Sequence, residues 1–373
     1  MTAAEQIRAE ALEVAAGWSP PGAPRSWRLT AGLFRAIAAH DALLDRLSAL
    51  PPERLPALLA SAAISFLVRR DRPVPLAGYF PEPGGPQPGF DAGFFPAAEA
   101  FFSSRLDDIA AVCRGRRYQM NEVARCIQIA LGVAATAPAP GEPVALVDLG
   151  TGAGFGLHLD RYRYQAGPRR FGATAAALTL SCEVRGPHLP PQAALPAIAD
   201  RIGIDVSPVD VRDAAARAWL LACAPPEASA LARLDAAMDT ARQHPATVIA
   251  GDAVQALPPV LGGLPPGRSV IVADAYLAVF LPPGQRAELA AIMAAAGRTR
   301  RVTWLSLDPL VPLGPAGHDS VQGLALPGWL VRDYQQHGVF AVLGARTFDG
   351  QAASGRVLAR AHPSGQWIEW LGP

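Results

Sequence analysis

Lysine is missing from the 373-residue sequence, so arginine supplies all 33 of the basic side chains other than histidine. Mechanisms that depend on a lysine amine, such as Schiff-base catalysis or phosphate binding by a P-loop lysine, are therefore excluded. The arginines outnumber the 32 acidic residues by one, which gives a formal net charge of +1. A chain without a strong basic excess is not typical of nucleic-acid-binding proteins, so we expect no nucleic-acid partner.

Cysteines and long apolar runs are also scarce. The four cysteines are far apart and form no C-x-x-C pair, so the sequence indicates neither a metal site nor a disulfide framework. The first 18 residues contain acids and lack a long apolar core, unlike a secretory signal peptide. No run approaches the roughly 20 apolar residues that a membrane-spanning helix requires. We expect a cytoplasmic protein with free thiols and no membrane partner.

The sequence changes character near residue 140. Before that point, segments such as LTAGLFRAIAAHDALLDRL place apolar residues at helical spacing, which predicts a helical N-terminal domain over residues 1–140. The proline-rich stretch TAPAPGEP is typical of a domain boundary. Half of the residues are hydrophobic, and a chain of this length is sufficient for two domains.

Residues 141–373 predict an α/β domain. Short apolar runs, VALVDLG, RIGIDV, ATVIAGDA, SVIVADAYL and RVTWLSLD, alternate with alanine-rich helical segments. This alternation indicates a mostly parallel, Rossmann-like sheet with helices on both faces. Two more strand patterns near the C terminus predict an antiparallel hairpin. The alternating segments DRYRYQ and LTLSCEV predict a second β-hairpin, inserted at about residues 158–190.

The stretch VALVDLGTGAGFG joins a buried-strand pattern to a glycine-rich loop. The dinucleotide pattern G-x-G-x-x-G, started at Gly150, requires glycine where the sequence has Phe155. The pattern acid-x-Gly-x-Gly-x-Gly fits Asp148, Gly150, Gly152 and Gly154. This pattern resembles the first motif of class I S-adenosylmethionine-dependent methyltransferases, and the resemblance implies that these four residues bind that cofactor.

A carboxylate just before the loop also distinguishes between kinds of ligand. A pyrophosphate favours the N–H groups of a helix N terminus and is repelled by a nearby acid. S-adenosylmethionine has no phosphate and carries a cationic amino-acid end, for which Asp148 is a suitable counter-charge. The alternative is an ordinary strand-to-helix turn in a chain that contains 35 glycines.

The strands that follow supply further candidates for cofactor binding. In the methyltransferase fold that the motif resembles, the second strand ends in an acid that accepts hydrogen bonds from the ribose, and Asp205 at the end of RIGID fits that place. Glu183 in LTLSCEV is a competitor, because it lies nearer the usual spacing of about 20 residues. We favour Asp205, because it follows an apolar run, whereas Glu183 lies within an alternating one. After the third strand, Asp252 and the N–H of Ala253 correspond to the groups that contact adenine. Each acid has an alternative role as a solvated carboxylate at a strand end.

Residues after the fourth strand line the acceptor site in these methyltransferases. Asp274 and Tyr276 occupy this place, the first as a candidate general base and the second as a group that orients the acceptor. The Asn/Asp-Pro-Pro-Tyr motif of many amino-group methyltransferases is absent from the sequence. Structural roles for both side chains are an equal alternative.

Longer stretches resemble a bacterial family known mainly as a domain of unknown function. The segments RRYQMNEVARC, VALVDLGTGAGFGLHLDRYRY, CEVRGP and RIGIDVSPVDV follow the order of the family's motifs across most of the chain. The sequence departs from the family pattern at Met120, which replaces threonine, at Gly152, which replaces serine, and at FGLH, which replaces LNL. The resemblance implies a Rossmann-like methyltransferase fold with a helical N-terminal region, and it implies no particular activity.

Two polar segments are candidates for the substrate pocket. In NEVARC, helical spacing places Asn121, Glu122 and Arg125 on one polar stripe that borders the ligand. An ion pair between helices, or a cap on the domain interface, explains the same stripe without a ligand. In DRYRY, Tyr162 and Tyr164 either cover the ligand or pack the inserted hairpin.

Together these patterns predict methyl transfer from S-adenosylmethionine to a small-molecule acceptor, with the N-terminal helices forming part of the acceptor pocket. Two alternatives are open. In the first, the same fold binds S-adenosylmethionine or another nucleotide for different chemistry. In the second, the chain is a non-catalytic interaction protein with a relic loop. The sequence identifies neither the acceptor nor the oligomeric state.

Overall fold

The computed structural model describes residues 1–138, 142–190, 194–313, 317–338 and 340–372. The chain forms two compact units. Unit 1 comprises Met1–Asn121 and Asp210–Ala236, and unit 2 comprises Glu122–Val209 and Ala237–Pro373. The predicted boundary between residues 140 and 141 lies outside the described residues. The observed division follows residue 121, and it assigns Asp210–Ala236 to the helical unit rather than to the α/β unit.

The helices form where apolar residues recur at helical spacing. The first helix begins at a capping box, in which Thr2 and Glu5 each bond the backbone N–H of the other. In chain order, the α-helices of the described residues are α1 (Ala3–Gly17), α2 (Trp27–Ala39), α3 (Asp41–Leu47), α4 (Pro56–Arg70), α5 (Phe94–Gly115), α6 (Arg125–Thr136), α7 (Ala214–Cys223), α8 (Ala228–Gln243), α9 (Ala253–Gly263), α10 (Pro283–Gly297) and α11 (Gly328–His337).

Helices α1 to α5 and α7 pack around the core of unit 1. Trp219 of α7 belongs to this core and meets the ring of Phe66 edge-on, with 5.9 Å between the ring centroids. The indole Nε1 of Trp219 also donates a hydrogen bond to the carbonyl oxygen of Arg117 at 2.8 Å. The later segment, Asp210–Ala236, therefore completes a core that the first 121 residues begin.

Unit 2 is built on one large sheet. In chain order, the strands are β1 (Val144–Leu149), β2 (Arg163–Ala166), β3 (Arg169–Gly172), β4 (Thr179–Arg185), β5 (Ile198–Asp205), β6 (Thr247–Ala250), β7 (Ser269–Ala275), β8 (Val302–Asp308), β9 (Val311–Pro312), β10 (His318–Asp319), β11 (Ala341–Asp349), β12 (Ala352–Ala361) and β13 (Trp367–Trp370). Within the described chain, eleven strands form a sheet in the order β3-β2-β4-β13-β12-β11-β8-β7-β1-β5-β6, while β9 pairs with β10.

The half of the sheet that contains β8, β7, β1, β5 and β6 is parallel. Strand β1 lies between β5 and β7. On one side of β1 the chain adds β5 and then β6, and on the other side it later adds β7 and then β8. In open α/β sheets, ligands bind outside the carboxyl ends of the strands at such a switch point. The glycine loop follows β1 and therefore lies at this place.

Helices cover both faces of the parallel half. Trp304 of β8 packs in one apolar cluster with Leu289 and Met293 of α10. The next residue, Leu305, lies against α6, where a Cβ added to Gly132 would be 3.3 Å from Leu305 Cδ2. Because successive strand residues point to opposite faces, α6 and α10 cover opposite faces of the sheet. The predicted mixed α/β architecture with a mostly parallel sheet is confirmed.

The inserted segment differs from the predicted hairpin. Strand β2 contains the second half of DRYRYQ, and β4 contains most of LTLSCEV. The two strands lie side by side but are parallel. The antiparallel partner of β2 is β3, which places Tyr164 opposite Phe171. The predicted β2–β4 hairpin is therefore wrong, because alternating polarity indicates a strand but does not select its partner. The antiparallel pair predicted near the C terminus is present as β11 and β12.

Among the described residues, no helix combines the length and the apolar character needed to cross a bilayer.

Candidate functional site

The glycine loop connects β1 to a short 3-10 helix over Phe155–Arg161. Its alternating glycines, Gly150, Gly152 and Gly154, have positive φ angles of 70°, 55° and 79°. This left-handed backbone is open to glycine and costs other residues roughly 1–2 kcal/mol. The spacing of the glycines in the sequence therefore corresponds to the backbone conformation that the turn requires.

Asp205 ties this loop to the end of β5. Its carboxylate accepts hydrogen bonds from the backbone N–H of Gly152 at 2.8 Å and of Ser207 at 2.7 Å. The N–H of Gly150 also donates to the carbonyl oxygen of Ile204 at 2.8 Å. The loop and the strand end are thus held as one rigid structure, with the Asp205 carboxylate beside the glycines.

Asp148 lies beneath the loop near the end of β1. Thr151 Oγ1 donates to Asp148 Oδ2 at 2.7 Å. A Cβ at position 156 would approach the same oxygen to 2.6 Å, so Gly156 leaves room for the carboxylate. Burial raises the pKa of Asp148 to about 7, and the negative charge of Asp205 adds to the increase. The neutral and ionised forms of Asp148 are therefore both populated near neutral pH.

Asp252 caps a helix. Its Oδ1 accepts hydrogen bonds from the N–H groups of Val254 at 2.9 Å and Gln255 at 3.2 Å, which makes it the N-cap residue of α9. Ala253 is the buried first residue of that helix. The N–H of Gly251 donates to the carbonyl oxygen of Asp205 at 2.9 Å, so this turn lies next to the end of β5. The structure thus gives Asp252 a clear structural role at the predicted place.

Asp274, near the end of β7, belongs to a buried polar cluster and is only 1 % exposed. Trp304 Nε1 donates to Asp274 Oδ2 at 2.7 Å, and Ser306 Oγ donates to Asp308 Oδ2 at 2.8 Å. Burial raises the pKa of Asp274 well above its usual range, and the carboxylate of Asp308 raises it further. A carboxyl group that is enclosed among other side chains of the protein is poorly placed to accept a proton from a substrate.

Tyr276 is held in an uncommon conformation directly after β7. Its φ angle of 63° lies in the left-handed region, which is rare for a residue with a large side chain. The guanidinium carbon of Arg125 lies 4.0 Å from the centroid of its ring, and Arg125 Nε donates to the carbonyl oxygen of Pro363 at 2.6 Å. Burial raises the pKa of Tyr276 and lowers the pKa of Arg125. This stack places Arg125 at the carboxyl end of β7.

The predicted polar stripe of Asn121, Glu122 and Arg125 does not form on a helix. Helix α6 begins only at Arg125, and Glu122 Oε1 accepts a hydrogen bond from the N–H of Ala124 at 3.0 Å. This bond stabilises a turn before the helix, so Asn121 and Glu122 precede it. The prediction that helical spacing aligns the three side chains is therefore wrong.

Tyr162 and Tyr164 are inaccessible to solvent. Their hydroxyls donate to the carbonyl oxygens of Phe155 at 3.2 Å and Leu159 at 2.7 Å, both in the 3-10 helix after the glycine loop. Tyr164 also stacks on Phe171, with 4.7 Å between the ring centroids. These contacts agree with the packing alternative for the two tyrosines.

Glu183 occupies a different part of the sheet from Asp205. It is exposed and forms an ion pair with Arg185 at 2.9 Å. Its strand, β4, is separated from β1 by five other strands, whereas Asp205 ends a strand adjacent to β1. Of the two acids that the sequence offered, Asp205 is the one beside the glycine loop.

Several residues near these strand ends were missed by the sequence interpretation, among them Thr151, His158, Trp304, Ser306 and Asp308. Asp308 ends β8 in the same way as the predicted acids end their strands, so the strand-end pattern in RVTWLSLD was a usable signal. His158 is buried, its Nδ1 has no partner among the described residues, and burial lowers its pKa to about 4. No pattern in the sequence distinguishes this histidine.

The fold and the strand-end site define an α/β protein with a glycine loop at the switch point of a mostly parallel sheet. The model of the family described as an uncharacterized protein conserved in bacteria (DUF2332) matches residues 18–370. The chain belongs to this family, which confirms the expected membership of a bacterial family of unknown function. Among curated proteins and among solved structures, no match to the chain was found.

Proposed function

We propose that this protein binds S-adenosylmethionine at the glycine loop and transfers its methyl group to a small-molecule acceptor. The position of Asp205 is the strongest support. It ends the strand next to β1, and its carboxylate is fixed against Gly152 at 2.8 Å. A nucleoside bound over the glycines has its ribose next to this carboxylate.

Asp205 retains the capacity to accept ribose hydroxyls. An ionised carboxylate offers about four lone-pair sites. The N–H groups of Gly152 and Ser207 use two of them. The remaining sites match the two neighbouring hydroxyls of a ribose, and each hydrogen bond to a charged acceptor contributes roughly 1.5–3 kcal/mol.

Asp148 suits a cationic ligand. An acid whose pKa is about 7 loses its proton more readily when a positive charge approaches. The amino and sulfonium groups of S-adenosylmethionine supply such a charge. A phosphate would be disfavoured by the same carboxylate, since it would add a second negative charge beside a partly buried acid.

The segment after the glycine loop also favours a ligand without phosphate. Dinucleotide-binding loops lead into an α-helix whose N terminus stabilises the pyrophosphate. Here the loop leads into a short 3-10 helix over Phe155–Arg161, and the chain then enters β2. This is also a departure from the methyltransferase arrangement, in which an α-helix follows the loop.

The transfer would depend on alignment rather than on a strong base. Asp274 is enclosed and its pKa is raised, so we assign it to the structure of the strand ends and not to proton removal. Tyr276, fixed beneath Arg125 directly after β7, is the candidate to border the acceptor. Holding the acceptor in line with the methyl carbon can supply most of the rate enhancement in such a displacement.

The proposal is tested by calorimetric titration of the full-length protein with S-adenosylmethionine, with S-adenosylhomocysteine and, as a phosphate-bearing comparison, with NAD. We expect the first two to bind and NAD not to bind. Absence of binding by both sulfur compounds overturns the proposal. Binding without transfer of labelled methyl to a broad panel of small-molecule acceptors supports the alternative of different chemistry with the same cofactor.

A further inference from the structure

Unit 1 contains a cavity that no part of the proposed methyl transfer uses. It lies between α2, α4 and the end of α7, and its wall includes Thr30, Phe34, Ser65, Tyr118 and Cys223. The cavity has a volume of about 50 Å³, counted as the space that the centre of a water molecule can occupy. A single buried water needs only about 10–15 Å³ by this measure, so the cavity has room for a larger occupant.

Two hydroxyls in this wall are buried without a hydrogen-bond partner. Thr30 is 4 % exposed and Ser65 is 2 % exposed. Within the described chain, neither Thr30 Oγ1 nor Ser65 Oγ has a partner. Ser61, which also lines the cavity, differs from them because its Oγ donates to the carbonyl oxygen of Leu58 at 2.8 Å. Buried hydroxyls normally have a hydrogen-bond partner, so we expect a polar group inside the cavity to pair with Thr30 and Ser65.

The rest of the wall indicates a neutral ligand. Among the described residues that line the cavity, none carries a formal charge. Burial raises the pKa of the Cys223 thiol to about 12, so this side chain is neutral as well. Tyr118 donates its hydroxyl to the carbonyl oxygen of Cys223 at 3.0 Å. An ion entering this wall would lose its hydration without gaining a counter-charge.

We propose that the cavity of unit 1 binds a small neutral alcohol, whose hydroxyl is held by Thr30 and Ser65 and whose apolar part lies against the aromatic wall. This binding site is separate from the proposed cofactor site, because no residue contributes to both. A ligand hydroxyl both donates and accepts, so it can satisfy the two protein hydroxyls together. Ordered water alone is the rival occupant.

The experiment compares benzyl alcohol with toluene, which lacks the hydroxyl, and with benzoate, which adds a charge. Binding to the full-length protein is measured by calorimetry or by ligand-detected NMR. We expect benzyl alcohol to bind about tenfold more tightly than toluene, which corresponds to the net value of a buried hydrogen bond or two. Benzoate should not bind. Equal binding of the three compounds, or binding of none, overturns the proposal in favour of water.

Substitutions of the cavity hydroxyls test whether benzyl alcohol binds in this cavity. Ser65→Ala and the double variant T30V/S65A should remove the preference for benzyl alcohol over toluene. The matched control is Ser61→Ala, since its hydroxyl is already bonded to the chain and its loss should leave the preference unchanged. The circular-dichroism spectrum, measured on the same samples, should be unaltered in all of them and shows that the variants are folded. If S61A changes the preference and S65A does not, the assignment of the hydroxyls is wrong.

Discussion

The backbone N–H of Gly152 donates to the carboxylate of Asp205 across 2.8 Å, so a single hydrogen bond joins the turn of the glycine loop to the end of the neighbouring strand. This bond sets the distance between two groups that a bound nucleoside would contact at the same time. Changes at either residue should therefore affect ligand binding before they affect the fold of the sheet.

Replacing Asp205 by alanine should weaken the binding of S-adenosylmethionine strongly. In the proposed complex, the variant would lose two hydrogen bonds from the ribose to a charged acceptor, each worth roughly 1.5–3 kcal/mol. The matched control is Glu183→Ala, which removes an exposed acid from a distant strand. Calorimetry should show a large loss for D205A and no change for E183A. The reverse order would mean that the ribose is not bound at the end of β5.

Substituting Gly154 tests the approach of a ligand to the loop. Gly154→Ala and Gly350→Ala introduce the same strain, because both glycines have positive φ, 79° and 62°, and neither added Cβ meets a close neighbour. Each should cost roughly 1–2 kcal/mol of stability. Only G154A should also reduce affinity for S-adenosylmethionine, by about tenfold or more, since its methyl group occupies space that the ligand needs. Equal affinities in the two variants would contradict the loop assignment.

The pH dependence of cofactor binding should follow Asp148. Its pKa is raised to about 7, so the carboxylate is mostly neutral below that pH and mostly ionised above it. Because a cationic ligand binds the ionised form, affinity for S-adenosylmethionine should rise more than about tenfold between roughly pH 5.5 and 7.5.

The control for this pH effect is Asp148→Asn, which cannot ionise. Its affinity should be low and nearly independent of pH across the same range. Thr151 can still donate to the amide oxygen, as it does to Asp148 Oδ2 in the parent protein, so the loop should stay folded. A parent affinity that does not vary with pH shows that Asp148 is not the counter-charge.

Asp274 should control the pH dependence of stability. Its pKa in the folded protein lies well above the value near 3.9 of an unfolded chain, so the folded state holds a proton that the unfolded state releases. The stabilising effect of this proton is complete below about pH 4 and is lost as the pH rises through the folded pKa. The free energy of unfolding should therefore fall with rising pH over this range.

In Asp274→Asn this pH-dependent contribution to stability is absent, because the side-chain amide does not ionise. The amide oxygen can still accept from Trp304, as Asp274 Oδ2 does. Denaturant unfolding, followed as the pH rises from about 4, should show a flatter profile for the variant than for the parent protein. Identical slopes in variant and parent would place the proton elsewhere in the cluster.

Asp252 offers a test that separates capping from ligand binding. Asp252→Ala removes the N-cap of α9 and should cost about 1 kcal/mol, whereas Asp252→Ser keeps a capping oxygen and should lose much less. If the carboxylate also contacts adenine, both variants bind S-adenosylmethionine more weakly, although only D252A melts at a lower temperature. Parent-like affinity in D252S would leave Asp252 with a structural role alone.

The sequence predicted those features that depend on neighbouring residues. Alternate glycines require left-handed backbone at Gly150, Gly152 and Gly154, and acids that follow apolar runs lie at strand ends because the runs form a parallel sheet. Asp205 was preferred over Glu183 for this reason. The same reasoning would have found Asp308, had it been applied to the fifth strand.

Features that depend on distant residues could not be predicted in this way. The start of α6 is a local feature that was also missed, because the Glu122 side chain accepts from the N–H of Ala124 in a turn where the periodicity indicated helix. The partner of β2 is fixed by pairing along the strand edges, and period-two patterns carry no information about it. The burial of Asp274 follows from Trp304 and Ser306, which are some 30 residues away in sequence.

The discontinuity of unit 1 has a consequence for synthesis on the ribosome. Trp219 fills part of the helical core, yet it is made only after the glycine loop and β5. It lies 102 residues beyond Arg117, to which it donates a hydrogen bond. During translation the core of the first 121 residues therefore lacks Trp219, its edge-on partner at Phe66, while the early strands of unit 2 emerge. Unit 1 therefore cannot complete its core before the early part of unit 2 is made, and a fragment that ends at residue 121 would lack the part of this core that Trp219, Ala222 and Cys223 supply.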